Sequence, residues 1–405
     1  MGHVRGKRRG YVLAVDRLEE RVVMSAFSTT ARLISNAGVG TAPPMPGSFL
    51  TATTTTPRNL AGLIGRLPNA PSSTVSTVPA NGDQNPYGVA KVPRGFLVTN
   101  FNSSSNLQGT GTTLQKLSLN GTTKTFYKAP MGFALTGAIG VLSKGFVFVG
   151  NVPTSNGTAA TIKPGSLLVL NRYGQAIANL KNPKLLDGPW GMTVHDSGNT
   201  AQIFVSNVLN GTVTRLDVTI RDGAPDITKA TTVASGYTTQ ASASALVLGP
   251  TGLAFDAKTN VLYVASTADN AIYAVAGAGG EQDCTHSDPR CGAGQAMPGK
   301  GTLLVQNDGN LQGPIGLAFT PDGNLLVTNG DAVDANPSRP SLLLEYTTAG
   351  KYVNSLSLDP NQGAAFGLAI KTVGNEYWLA TVNDATNTLD IRKATRCSPA
   401  DPSGC

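Results

Sequence analysis

Short apolar runs alternate with polar turns over most of this chain, and the runs come back in the same words. Gly249-Pro250-Thr251-Gly252-Leu253-Ala254-Phe255, followed by Leu262-Tyr263-Val264-Ala265-Ser266, returns as Gly313-Pro314-Ile315-Gly316-Leu317-Ala318-Phe319 and then Leu325-Leu326-Val327-Thr328-Asn329. Looser copies pair 85–90 with 96–100, 188–192 with 203–207, and 365–369 with 377–381. A turn with Pro and a glycine free to take φ > 0 opens the first run. A polar turn such as Thr320-Pro321-Asp322-Gly323-Asn324 reverses the chain, and a second run follows. Third and fourth runs are visible at 270–275 with 301–305, and at 341–346 with 352–356. Four antiparallel strands per unit make the blade of a β-propeller, an all-β fold.

Taking the repeat glycine as register mark places it at Gly88, Gly137, Gly191, Gly252, Gly316 and Gly367, with steps of 49, 54, 61, 64 and 51 residues. The expectation is therefore a six-bladed propeller over residues 71–395, with insertions in the longer units. These steps reach beyond the roughly 40–50 residues of ordinary propeller repeats. A propeller must close its ring to remove its sheet edges, yet little chain follows Leu389-Asp390-Ile391-Arg392 to supply a last outer strand. Residues 73–78, upstream of the first repeat, are expected to fill that place.

The flanking segments differ in kind. Residues 1–35 hold seven Lys/Arg against three Asp/Glu, so most of the chain's formal charge of +7 sits in a basic sorting segment. Val15, Leu18 and Val22 fall at helical spacing within it. Residues 36–70 are rich in Thr, Pro, Gly and Ala, which predicts a linker. The remaining charge is thin and unclustered, against nucleic-acid binding. No run of about 18 apolar residues is present, so no membrane span is predicted. The four cysteines lie off the repeats in two close pairs. Three pairings are open to them, and loop closure favours Cys284 with Cys291 and Cys397 with Cys405, the latter closing a tail over 396–405. Disulfides point to an oxidising, extracellular compartment. Zinc binding with His286 is the weaker alternative, because the spacing departs from zinc-site patterns.

The unit P-x-G-L-A-h followed by L-h-V-x-N resembles the NHL type of six-bladed propeller. The stretch from Asn100 to Thr113 is similar to a group of bacterial secreted propellers, and Arg17-Leu18-Glu19-Glu20-Arg21-Val22-Val23-Met24-Ser25 resembles an export motif of planctomycete bacteria. The resemblance implies a site at the mouth of the central tunnel. Gluconolactonase-like relatives place an acidic ligand where the innermost strand opens, whereas this chain reads Asn85-Pro86, Gly188-Pro189, Gly249-Pro250, Gly313-Pro314 and Ala364-Ala365. Lyase relatives need histidines at the axis. Of the three here, His3 is in the basic arm, His286 is in the cysteine loop, and His195 reads as a hairpin residue. No nucleophile elbow or phosphate-binding glycine loop appears, and no catalytic residue is assigned.

One polar feature recurs. The second strands end on Asn100, Asn151, Asn207, Ser266, Asn329 and Thr381, which symmetry expects to form an oxygen-rich ring on one face. Such a ring suits a polar ligand or a weakly held Ca2+, with Asp331 the candidate metal ligand and Asp322, Asp334 and Asp384 nearby. Asn at a strand end also bonds its own turn, the commoner use. Tyr87, Trp190 and Phe366, each before a repeat glycine, are expected to line the mouth. The sequence thus predicts an exported monomeric propeller that binds a protein or carbohydrate without catalysis and without a required cofactor. A metal-dependent lactonase or lyase and an assembly scaffold stand as the alternatives.

Overall fold

Twenty-four of the apolar runs become strands and assemble by fours into antiparallel sheets. The computed structural model describes residues 62–280, 298–330 and 339–396. Blade 1 is Gln84–Val92, Gly95–Asn102, Thr113–Ser118 and Thr123–Lys128; blade 2 is Leu135–Val141, Val147–Asn151, Ser166–Leu170 and Ala176–Leu180. Blade 3 is Pro189–Asp196, Thr200–Asn207, Thr212–Arg221 and Ala224–Ser235; blade 4 is Pro250–Asp256, Val261–Ser266, Ala271–Ala276 and Thr302–Gln306. Blade 5 is Leu317–Phe319, Leu325–Asn329, Ser341–Tyr346 and Tyr352–Asp359. Blade 6 takes Ala365–Val373, Glu376–Asn383 and Thr388–Thr395 from the end of the propeller and Ser73–Ser76 from its beginning. The first strands of successive blades pack on one another in a ring that returns from blade 6 to blade 1.

The ring is closed by the upstream strand that the sequence predicts. Ser73 lies opposite Ile391 and Ser76 opposite Thr388 in an antiparallel ladder, which covers the edge of Thr388–Thr395. Between blades the core is aliphatic. Leu97, Leu114, Leu135, Ile139, Val149 and Leu168 fill the seam of blades 1 and 2, each fully buried side chain contributing about 1.5–3 kcal/mol.

The repeat glycines serve a different purpose from the one expected. None of the six is in the left-handed region; positive φ occurs instead at Gly188 and Gly313, which precede the prolines. What the repeat glycine supplies is clearance. A Cβ on Gly191 would sit 1.9 Å from the Thr251 carbonyl oxygen of blade 4, and one on Gly367 would sit 2.3 Å from the Tyr87 carbonyl oxygen of blade 1. Neighbouring inner strands approach too closely at the axis for any side chain.

Within the stretch 36–70, expected to be a linker, residues 62–67 are described, with Leu63, Ile64, Gly65 and Leu67 buried. Gly62–Arg66 is a short helix whose Leu63 and Ile64, with the following Leu67, pack among Leu326, Leu343, Leu356, Leu368 and Leu379. Three apolar residues in Gly-Leu-Ile-Gly-Arg-Leu are diluted when composition is averaged over the whole stretch. The helix starts on a buried carboxylate: Leu63 N and Ile64 N donate to Glu345 at 3.1 and 2.9 Å, and Asn324 Nδ2 donates at 2.8 Å. The predicted sorting segment 1–35 and the cysteine pairs Cys284–Cys291 and Cys397–Cys405 lie outside the described residues. No helix among the described residues is long and apolar enough to cross a membrane.

Candidate functional site at the propeller mouth

The face that carries the second-strand ends also carries the loops leading into each blade, and its centre is floored by aromatic rings. Trp190 Nε1 donates to the Tyr87 hydroxyl at 2.9 Å. Tyr87 stacks obliquely on Phe366 with centroids 4.6 Å apart, and Phe101 meets Trp190 edge-on at 5.2 Å. Beneath them the axis, ringed by Gly88, Gly137, Gly191, Gly252, Gly316 and Gly367, holds a void of only about 60 Å3. That is room for about two waters. The three aromatics expected at the mouth are thus brought together, as its floor.

The expected ring of strand-end oxygens does not open onto the mouth. Asn100, Asn151, Asn207, Ser266 and Asn329 are all buried, and four of them fasten the loop that leads into their own blade. Asn100 Nδ2 donates to Thr77 O at 2.9 Å, Asn151 Oδ1 accepts from Ala134 N at 2.7 Å, and Asn207 Nδ2 donates to Leu185 O at 3.0 Å. Asn329 Oδ1 accepts from Gln312 N at 2.5 Å. Ser266 instead donates to Asp269 in its own turn at 2.7 Å.

The sixth position is corrected by the register. Ala365 lies opposite Asn383 and Leu368 opposite Thr381, as Pro86 lies opposite Asn100 and Val89 opposite Val98. The blade 6 equivalent of Asn100 is therefore Asn383, whose Nδ2 donates to Asp359 Oδ2 at 2.9 Å. Thr381 lies one pleat further into the strand. The first hairpin of blade 6, turning at Gly374, spans 18 residues between Ala365 and Asn383, as in blade 3, against 14 in blade 1, which places the strand-end Asn two residues beyond Thr381.

Just before the strand-end Asn sits a second system that the sequence reading passed over. Thr99 Oγ1 accepts from Gly88 N and donates to Thr136 O of blade 2, both at 2.8 Å. Thr136 Oγ1 donates to Pro189 O of blade 3, and Ser206 Oγ to Thr251 O of blade 4, each at 2.7 Å. Thr267 Oγ1 continues to Pro314 O at 2.7 Å, and Thr328 Oγ1 donates to Phe366 O. Buried hydroxyls thus stitch blade to blade around the axis. The signal was the Thr or Ser in Val98-Thr99-Asn100, Val205-Ser206-Asn207 and Val327-Thr328-Asn329.

Above the aromatic floor lies an open cavity of about 210 Å3, lined by Asn85, Asn102, Asn106, Gln108 and Asp384. Its roof is made by two loops that meet over the axis. Gln108 Nε2, from the loop after the second strand of blade 1, donates to Ser244 O at 2.8 Å. Ser244 is the tip of a hairpin formed by Gln240–Ser242 and Leu246–Leu248. The hairpin is pinned by Leu246, which is buried in the central cluster at φ 61, a backbone strain of about 1–3 kcal/mol for a non-glycine residue.

Asp384 is the one carboxylate in the lining. Its side chain has no hydrogen bond or ion pair among the described residues, and burial pushes its carboxyl up to about 6. Asn85 Oδ1 and Asn102 Oδ1 are buried without partners as well. Asp322, expected nearby, is on the opposite face and pairs with Arg66. Asp331 and Asp334 lie outside the described residues. His195 is also remote, on the first strand of blade 3 opposite Gln202 and edge-on to Phe255 at 5.8 Å. Among the described residues no three His, Cys, Asp or Glu side chains come together.

No family model matches the chain, and no curated protein sequence does. Among solved structures, the chain is similar to a gluconolactonase from Xanthomonas campestris (14% identity over 80% of this chain and 96% of that one, TM-score 0.48). It is likewise similar to a calcium-binding regucalcin from Agrobacterium tumefaciens (12%, 81% and 96%, TM-score 0.48) and to a chain of a nidogen–laminin complex (13%, 70% and 84%, TM-score 0.43).

Proposed function

We propose that this chain is an exported, non-catalytic binding propeller of the NHL type whose mouth takes a small ligand rich in hydrogen-bond donors, a neutral sugar above all. One observation carries the reading: a carboxylate without a partner lines a cavity whose other polar groups are side-chain amides. Asp384 carries a carboxylate with no hydrogen bond or ion pair among the described residues, and the side-chain amides of Asn85, Asn102, Asn106 and Gln108 line the cavity beside it. Asp384 is half-buried in the cavity lining, and a ligand hydroxyl donating to its carboxylate would make a charge-assisted hydrogen bond. Aromatic rings below suit the apolar face of a sugar.

A second reading rests on the same oxygens. One carboxylate and two amide oxygens are hard donors of the kind Ca2+ takes, and they leave most of its roughly six to eight coordination positions free. Asp384, Asn85 and Asn102 would hold the ion, which would supply charge to polarise a lactone carbonyl.

Fluorescence titration of the full chain with a panel of neutral monosaccharides, read at Trp190, tests the first reading against a Trp190→Phe control. The expected result is a saturable change with at least one sugar that Asn102→Ala abolishes. Silence toward every sugar, with a melting temperature that climbs in micromolar CaCl2 and turnover of gluconolactone, would replace it with the second.

A further inference from the structure

Blades 1 and 2 part at the face opposite the mouth. Their shared aliphatic core stops short there, and a cavity of about 470 Å3 opens beyond it, walled by Val92, Leu97, Phe126, Val141, Leu142 and Val147. This lies within the range of roughly 300–1,000 Å3 that small-molecule pockets occupy. Lys91, Lys116, Arg172 and Lys371 also line it, and no carboxylate does. None of the four cations forms an ion pair among the described residues. Lys371 Nζ reaches across from blade 6 to donate to the carbonyls of Val92 and Pro93 of blade 1. Burial first, then the neighbouring Lys91, holds its ammonium below the ordinary lysine value. The carboxylate tied to this rim, Asp196, is spent on the backbone N–H of Ser143.

We propose that this cavity binds an amphipathic carboxylate, a medium-chain fatty acid anion, with the chain against the apolar walls and the carboxylate among the four cations. Each half of the ligand answers one half of the site. A neutral hydrocarbon would leave the clustered cations uncompensated, and a small anion without a tail would leave Val92, Phe126 and Val141 wet. A bilayer surface has the charge but not the shape, because a flat surface does not fill a cavity of about 470 Å3.

Calorimetric titration of the full chain with sodium octanoate tests the proposal, with octanol and sodium acetate as the tailed and the charged half alone. The expected result is one saturable octanoate site, with both controls weaker by about tenfold or more. Lys91→Gln with Lys371→Gln should weaken octanoate by about tenfold and leave octanol unchanged. Val141→Trp should fill the cavity and remove binding of both. Absent octanoate binding, equal binding of octanol, or an affinity untouched by the double lysine variant would each overturn it. Adsorption to phosphatidylglycerol vesicles without a saturable octanoate site would overturn it too, assigning the cations to a membrane surface.

Discussion

The two faces of this propeller hold opposite chemistry on the same frame. At the mouth, buried amides and hydroxyls fasten the loops, and the cavity over the aromatic floor is lined by side-chain amides around Asp384. On the opposite face the hairpins are held by aliphatic packing and by the helix Gly62–Arg66, and the cavity there is rimmed by cations. The difference follows from strand direction. Every second strand ends at the mouth, so each repeat delivers its polar terminus there, while the turn between first and second strand, free to vary, delivers its charges to the other side. Between them lie the floor of Tyr87, Trp190 and Phe366 and, beneath it, the narrow glycine-ringed axis.

The largest blow to that separation is Gly191→Val. Its side chain would drive into the Thr251 carbonyl, and a loss of at least about 4 kcal/mol is expected in urea unfolding, with both faces affected together. Next comes Asp384→Asn at the mouth. A carboxyl raised from its ordinary 3.8 to about 6 contributes stability that is full below the unfolded value and is lost as pH rises through about 6. The Asn variant should therefore match the parent near pH 3 and exceed it above pH 6.5 by up to about 3 kcal/mol, read as melting temperature against pH. Asn383→Ala leaves the buried Asp359 short of a donor and should cost about 1–2 kcal/mol. Thr381→Val, in the same strand, should cost less than about 0.5 kcal/mol, and a reversal of that order would undo the register assigned to blade 6. Smallest is Lys91→Gln on the cationic face. Relief of repulsion from Lys371 should raise stability by a few tenths of a kcal/mol at low salt and by nothing measurable at about 1 M NaCl.

Strands and their closure were legible because alternation and turn chemistry are local, and the repeat multiplies a weak signal. Even the closing strand could be inferred, since a ring with one blade short of a strand demands another source. The strand-end asparagines were legible as a pattern but not as a role: whether Asn329 faces solvent depends on where the backbone of Gln312 arrives, which no period reports. Thr381 took the place of Asn383 because first hairpins differ in length from blade to blade, from 14 residues between Pro86 and Asn100 to 18 between Ala365 and Asn383, and the phrase looks the same in each. Asp384 stood out as a carboxylate near the mouth. Asn85 and Gln108, its companions, carry no motif and meet it only through the ring. The cationic cavity was out of reach altogether, with Lys91 and Lys371 at opposite ends of the propeller sequence and Arg172 on a third blade.

The ladder of Ser73 with Ile391 also sets a timetable. Its partners are 318 residues apart by their numbers, so at roughly 5–20 residues per second of synthesis the first strand waits about 15–60 s for its mate. Throughout that interval Ser73–Ser76 has no strand to pair with. A chain made this way must keep an open hydrogen-bonding edge from recruiting strangers until its last blade emerges, which gives its assembly, unlike its finished form, a direction.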